Sequence, residues 1–483
     1  MKLRRSAIAF AAAVRPALIA ALLFACAACA PIKYTTPAAE VAPAFKENAN
    51  WKPAEPRDAA LRGNWWELFG DADLNALEQR IDVSNQNLKA AEAQFAQERA
   101  ILRGSRSNLY PTVTANPAIV RTRQSSNRAV GSVSSSYADF LLPVDVSYEA
   151  DVWGRIRNSI EASRTTAQAT AADLETARLS VHAELAVDYF SLRGMDREKE
   201  LLDSAVVAFE RALELTQNRF QGGIVSEADV ALAETQLETT RAQAVDVGVE
   251  RAALEHAIAV LVGQPASTFA IQPATLRETP PDVPIGVPSA LLERRPDIAA
   301  AERRVAAANA QVGVATAAFY PILTLSGTGG FESSSLGSWL AGASNFWTIG
   351  PAALITIFDA GRRRATADQA RAAYAEAAAV YRQSILSAFG EVEDQLAALR
   401  VLDQEAAIQN RAVDAAQRSL TQATNRYRGG LATYLEVTSA QNVALANERV
   451  AVELLTRRMT ASVLLMKGLG GGWDASTLPA LPR

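Results

Sequence analysis

The chain has 483 residues, 48 Lys and Arg against 52 Asp and Glu, and a net charge of −4, a balance that leaves no basic footprint for nucleic acid. Its two cysteines, Cys26 and Cys29, lie too close together for a structural disulfide, and no other thiol exists for zinc or nucleophilic chemistry. Length alone suggests several compact domains. Abundant Ala, Pro confined to a few stretches and interleaved Arg and Asp/Glu favour long amphipathic helices with solvated faces instead.

Residues 1–28 read as a targeting segment. Lys2, Arg4 and Arg5 form a charged start, and Ala7 to Phe24 is apolar apart from Arg15 and Pro16. The run is too short and interrupted for a membrane span. Its end resembles a bacterial lipobox, in which a Cys becomes the lipidated first residue. Cys29, after Ala27-Ala28, is the favoured acceptor; Cys26, after Leu23-Phe24-Ala25, is the alternative, and plain cleavage without lipid is the third reading. A covalent lipid there anchors the exported protein to a membrane through ~0.8 kcal/mol per buried CH₂. Residues 29–62, rich in Pro and Ala without periodicity, form an extended tail.

Residues 63–270 then run helix, strand, polar loop, strand, long helix, turn, helix. The first helix stops at Leu109-Tyr110-Pro111, because the residue before Pro is driven to extended backbone. Leu142, Val144, Val146 and Tyr148 alternate with Pro143, Asp145, Ser147 and Glu149, the period of a strand with one apolar and one polar face. No Pro follows until Pro265, so one helix from about Gly154 to Phe220 spans roughly 100 Å. Leu202, Val206, Phe209, Leu213, Thr216 and Phe220, spaced by four and three, make a coiled-coil seam. Gly222-Gly223 supplies the positive φ that ends it. Residues 271–296 hold six Pro and form a linker no helix crosses.

Residues 297–472 repeat the unit, and residues 473–483 are a C-terminal tail. Asn218-Arg219-Phe220-Gln221-Gly222-Gly223-Ile224 returns as Asn425-Arg426-Tyr427-Arg428-Gly429-Gly430-Leu431. The same register pairs Gly154-Arg155 with Gly361-Arg362, Leu192-Arg193 with Leu399-Arg400, and Gly263 with Gly470. Phe319-Tyr320-Pro321 stops the helix. Leu323, Leu325 and Gly327 alternate with Thr324 and Ser326. Trp347, Ile349, Ala353, Ile355 and Ile357 alternate with Thr348, Gly350, Ala352 and Thr356. That makes four strands per chain. If their apolar face meets lipid, four cannot close a barrel, and an open edge cannot sit in hydrocarbon, so identical chains must complete it in a ring.

Trp65-Trp66-Glu67-Leu68-Phe69-Gly70-Asp71 with Leu74, the stretch Leu291-Leu292-Glu293-Arg294-Arg295-Pro296-Asp297-Ile298, the two hairpin tips and the start Cys29…Tyr34-x-x-Pro37 resemble the TolC/NodT-type outer-membrane efflux lipoproteins. The resemblance covers nearly the whole chain beyond the signal. It implies a mixed α and β membrane protein: a trimeric twelve-stranded outer-membrane β-barrel, four strands per chain, continued by a periplasmic α-helical barrel. It implies a homotrimer in outer-membrane lipid, a periplasmic adaptor protein, an inner-membrane efflux transporter, no cofactor and no enzymatic activity. It also carries an aperture role to Asp229 and Glu436, with Ser439 in place of a further, often acidic, position. Read from the residues alone, Ser226-Glu227-Ala228-Asp229 and Thr433-Tyr434-Leu435-Glu436 are capping boxes. Arg219, Arg426 and Arg428 can pair with tip carboxylates, contact an adaptor or simply be solvated. His182 and His256 read as packed at helix interfaces, Trp65-Trp66 as packing, and Gly327-Thr328-Gly329-Gly330 as strand. An adaptor lipoprotein and a structural coiled coil are the rival readings; the doubled hairpin and the alternating segments argue against them.

Overall fold

The computed structural model describes residues 34–39, 41, 43–47, 63–123, 125, 136–276, 280–281 and 291–482, so the targeting segment and both candidate lipidation sites, Cys26 and Cys29, lie outside the described residues. In the first half, α1 (Ala72–Ser84) and α2 (Gln86–Ser107) lead into β1 (Thr112–Ala115), β2 (Ala118–Arg123) and β3 (Ser136–Ala150), followed by α3 (Arg155–Gln221) and α4 (Glu227–Leu261). In the second, α5 (Leu291–Arg294) and α6 (Pro296–Ala317) precede β4 (Ile322–Ser333), β5 (Asn345–Leu354), α7 (Arg362–Arg428) and α8 (Tyr434–Gly468). The long helices α3 and α7 have 67 residues each, and α4 and α8 have 35 each. They run about 100 and 50 Å. Both long helices start from a left-handed glycine, Gly154 (φ 77°) and Gly361 (φ 89°), beside an aspartate that accepts first-turn amides. Asp151 takes those of Ile156 and Arg157, and Asp359 that of Arg363. A carboxylate there satisfies donors with no intrahelical partner and complements the helix dipole.

Among the described residues five strands form one antiparallel sheet, where the sequence pattern predicts four. β1 and β2 both pair with β3 in one unbroken register, Thr112 opposite Ser147 and Arg123 opposite Ser136. They are one edge strand interrupted at Asn116-Pro117, where the ring has no N–H to give the ladder. β3 pairs with β4 (Val146 opposite Gly327), and β4 with β5 (Gly327 opposite Ile349). Ile355 and Ile357, expected in the last strand, follow its end at Leu354.

The expected first helix is broken at Asn85, which is extended (φ −63°, ψ 124°) between α1 and α2. Its Oδ1 caps Leu88 while its Nδ2 donates to the Leu261 carbonyl at the end of α4. The second half makes the same joint differently: extended Arg295, between α5 and α6, donates to the Gly468 carbonyl at the end of α8. Glycines close both joints. A Cβ on Gly263 (φ +67°) would stand 2.4 Å from the Ser84 carbonyl oxygen, and one on Gly470 (φ +90°) 2.0 Å from that of Arg294. Any other residue there is excluded by both backbone strain and collision.

The helices form an arc: α4 packs on α3, α3 on α8, and α8 on α7. The predicted seam holds at Leu202, Phe209 and Thr216, which are buried, and at half-buried Val206 and Leu213. Phe220 departs from it and is exposed, while its counterpart Tyr427 is buried. The largest core gathers where the middles of α3 and α7 and the ends of α4 and α8 meet the chain's N-terminal and linker segments, around Trp65, Trp66, Ile81, Leu185, Tyr189, Leu192, Val392 and Leu465.

Two extended straps grip this core. Residues 271–274 of the linker lie along the first half. Arg193 donates to the Gln272 carbonyl (2.6 Å), Arg251 to that of Ile271 (2.7 Å), and Asp196 and Glu255 accept the amides of Ala274 and Ile271. The tail lies along the second half. Tyr34 donates to Glu302 (2.6 Å), Arg382 to the Ala38 carbonyl, Glu393 accepts the amides of Lys46 and Glu47, and Arg400 pairs with Glu47 (2.6 Å). Phe45 of the tail enters the core.

Candidate functional site

Opposed residues in an antiparallel pair share a face, so the register sorts the sheet's side chains. Through its middle, one face carries Thr112, Thr114, Asp145, Ser147, Glu149, Thr324, Ser326, Thr328 and Thr348; Thr328 Oγ1 donates to Asp145 Oδ1 at 2.6 Å. The other carries Val113, Val144, Val146, Tyr148, Leu323, Leu325, Phe331, Trp347 and Ile349. Trp347 is 75% exposed and Ile349 67%. Among the described residues no helix packs substantially on β3 or β4; their main neighbours are strands and the loop between β4 and β5. Both sheet edges are unpaired among the described residues. Where strands meet helices, Arg155 pairs with Glu149 (2.6 Å), Trp153 stacks on Tyr320 (4.8 Å) and donates to the Pro321 carbonyl.

At the far end of the helices the two hairpin turns share one backbone. Each Gly-Gly pair supplies the expected positive φ through its second member, Gly223 (φ +71°) and Gly430 (φ +74°), while Gly222 and Gly429 are right-handed (both φ −77°). Ile224 N–H donates to the Arg219 carbonyl and Leu431 N–H to that of Arg426, closing the turn as a Schellman motif that needs one left-handed residue, not two. The side chains then differ. Ser226 and Asp229 form the predicted capping box, Asp229 N–H to Ser226 Oγ and Ser226 N–H to Asp229 Oδ2. Thr433 makes no side-chain cap. Glu436 faces Arg426 instead, at 3.3 Å, both half exposed.

Arg219 and Tyr427 tie the two turns together. Arg219 Nη1 donates to the Tyr427 carbonyl at 2.6 Å, and its guanidinium lies 4.5 Å over the Tyr427 ring. Tyr427 meets Tyr434 edge-on at 5.4 Å, and both pack with Ala233 and Val437. Burial pushes the Tyr434 phenol up to about 12. A cavity of about 430 Å³ between the turns is lined by Arg219, Asp229, Tyr427, Thr433 and Tyr434. Asp229 thus stands beside the link between hairpins, whereas Glu436 and exposed Ser439 lie outside that lining.

His182 is buried, as expected of a residue at a helix interface, but it is not merely packed. Its Nδ1 lies 2.6 Å from Glu78, its ring stacks on Trp66 at 4.3 Å, and its Nε2 is 3.5 Å from Asp82. Glu78 is fully buried, and desolvation pushes its carboxyl up to about 7, a rise that its contact with His182 opposes. His256, expected at an interface, is exposed in the single chain. Glu78 and the role of Arg219 carry no signal in sequence spacing, since their partners are 104 and 208 residues away.

Among the described residues, a one-layer sheet with segregated faces is joined end-on to long packed helices, and its uncovered apolar face is that of a sheet facing a membrane. Residues 77–264 and 287–471 match the outer membrane efflux protein family, and the chain belongs to that family. It is 30% identical over 447 residues to the toluene efflux pump outer membrane protein TtgC of Pseudomonas putida, covering 92% of each chain. It is 32% identical over 465 residues to the outer membrane protein OprJ of Pseudomonas aeruginosa, covering 95% of each. The solved outer-membrane channel OprN superposes with a TM-score of 0.86 at 30% identity, covering 92% of this chain and 99% of that one. The protein is an outer-membrane channel component of an efflux pump, a transport part that extends from the outer membrane into the periplasm.

Proposed function

We propose that three copies of this chain, each a twice-repeated strand-pair-and-hairpin unit, make a passive exit duct. Twelve strands close a β-barrel across the outer membrane, and twelve hairpin helices close a periplasmic tunnel. The open sheet carries this reading: its free edges must find strands, and hydrocarbon tolerates no unpaired backbone. The helical arc needs closure too, because its end helices expose Val245, Val249 and Val260 on α4, and Val380, Leu386 and Ile408 on α7. A covalent lipid on Cys29, or on Cys26, fastens the tail, and no cofactor is needed. A periplasmic adaptor couples the tip to an inner-membrane transporter that spends the energy.

The tip is the gate. Asp229 and Glu436 line the aperture, and the Arg219–Tyr427 link holds one hairpin against the other. Opening requires the hairpins to part, so the adaptor must bind the parted state better. In planar bilayers, Arg219→Ala raises single-channel conductance, and Asp229→Ala with Glu436→Ala does so as well; unchanged conductance in both removes the gate assignment. The assembly itself is tested by fractionating cells and running the membrane protein unheated. A heat-labile trimer in the outer membrane is the expected result, and recovery as a soluble monomer would end the duct reading.

A further inference from the structure

Charge is segregated across the sheet as completely as polarity. The strands contain four acidic residues, Asp139, Asp145, Glu149 and Glu332, and the register places all four on the hydroxyl-bearing face. They contain two basic residues, Arg121 and Arg123, opposite Ala138 and Ser136, and both lie on the apolar face. β1 and β2 share one register, so Val113, Ala115, Ile119, Arg121 and Arg123 follow one another along that face, away from the helices. Both guanidiniums are exposed, and among the described residues neither has an ion-pair partner.

The position matches a lipid interface. From Val113 to Arg121 the strand rises about 26 Å at ~3.3 Å per residue. Tilted as barrel strands are, that is roughly 20 Å of height, close to the ~25 Å apolar band of an outer-membrane barrel. Below Arg121 on this face, the register places Phe140 level with Ile119, Phe331 one face position further down, and exposed Trp347 of β5 level with Ala115. Phe140 also packs against Trp339 at 5.7 Å. Hydrocarbon disfavours a guanidinium by ~2–4 kcal/mol at the midplane and hardly at all at the interface. Two arginines on the lipid side of an otherwise cation-free sheet therefore belong at headgroup depth. A guanidinium fork matches the oxygens of phosphate.

We propose that Arg121 and Arg123 form a binding site for the phosphate of an anionic lipid in the outer leaflet, one site per protomer on the barrel's outer wall. The site rests on the barrel reading above and goes beyond it by naming the lipid chemistry the wall selects. The same residues in a soluble sheet have no reason to share a face with Ile119 and Phe140 or to avoid the carboxylates.

The test uses the full-length protein in nanodiscs of phosphatidylcholine, titrated with fluorescent lipid A or with its dephosphorylated form. The wild type binds the phosphorylated lipid, and R121Q/R123Q lowers affinity about 30-fold, from roughly tenfold per 1.4 kcal/mol and about 1 kcal/mol per basic residue at a charged surface. R121K/R123K keeps most of the binding, and raised salt weakens it. Dephosphorylated lipid A binds both forms equally weakly. Equal affinity of wild type and R121Q/R123Q for lipid A overturns the site, as does competition by inorganic phosphate at the lipid's own concentration. Quenching of the Trp347 emission, read as the difference from W347F, by lipids brominated on their acyl chains reports the barrel separately. Quenching with unchanged lipid A affinity sinks the site alone; no quenching sinks the barrel reading and the site with it.

Discussion

Arg193 and Arg400 sit on the same turn of the two long helices and both hold an extended strap, yet their surroundings differ. The Arg193 side chain is 3% exposed and the Arg400 side chain 31%. The carboxylates follow: Asp196, paired with Arg251, is 4% exposed, and its counterpart Asp403, paired with Arg458, is 70% exposed. The first half clamps a piece of its own linker under a buried polar network. The second half clamps the chain's incoming tail under an open one. A twice-used backbone can thus hold one strap rigidly and the other loosely, because desolvation sets what each ion pair is worth.

The sharpest way to break this comparison is at His182, whose counterpart in the second half is Phe389. His182→Phe copies the apolar solution into the first half and leaves Glu78 buried without its partner. The expected loss is ~3–5 kcal/mol, read as a lower melting temperature of the detergent-solubilised protein. Adding Glu78→Gln to His182→Phe recovers most of it. If the single substitution melts like the wild type, the pair is not the buried contact described here.

Glu78 also predicts a pH dependence. Burial raises its carboxyl to about 7 from an ordinary value of 4.5, so the folded state holds a proton that the unfolded chain has given up. Its contribution is present in full below about 4.5 and is lost as pH climbs to about 7. Glu78→Gln should flatten that part of the stability profile and leave the rest unchanged. An identical profile in the variant would place the titration elsewhere.

Next in size are the straps. Arg193→Ala strips a buried network that binds Asp196, Asp73 and the Gln272 carbonyl, at a cost of ~2–4 kcal/mol. Arg400→Ala breaks one half-exposed pair and costs under ~1 kcal/mol. Denaturant titration distinguishes them; equal losses would mean that burial does not separate the two clamps.

What could be read from the sequence is what the local backbone demands. Pro111 and Pro321 stop helices, Gly223 and Gly430 turn them, and period two in β3 and β4 sorts the faces, each from a few neighbouring residues. The break at Asn116-Pro117 had a signal too, in the missing amide of Pro117. What could not be read depends on distant partners. Nothing near Glu78 points to His182, and no periodicity in the Pro-rich linker or the tail marks them as straps. Arg121 and Arg123 carry meaning only once the register says which face they share. Thr433 shows the opposite failure: its Thr-x-x-Glu spacing matches a capping box, but Glu436 pairs with Arg426 across the hairpin turn instead.

That last difference supports the finest test. Ser226 and Thr433 hold equivalent positions after identical glycine turns, but only Ser226 accepts an amide. Ser226→Ala removes a used cap and should cost ~1 kcal/mol, whereas Thr433→Ala removes an unused one and should cost a few tenths at most. Hydrogen exchange at the tips is the suitable readout, since a frayed first turn of α4 opens without unfolding the long helices. Faster exchange at Ala228 and Asp229 in Ser226→Ala, with Leu435 and Glu436 unaffected in Thr433→Ala, is the expected pattern. Equal acceleration at both tips would show that Thr433 caps α8 in solution after all, and that the hairpins share side-chain chemistry as well as backbone.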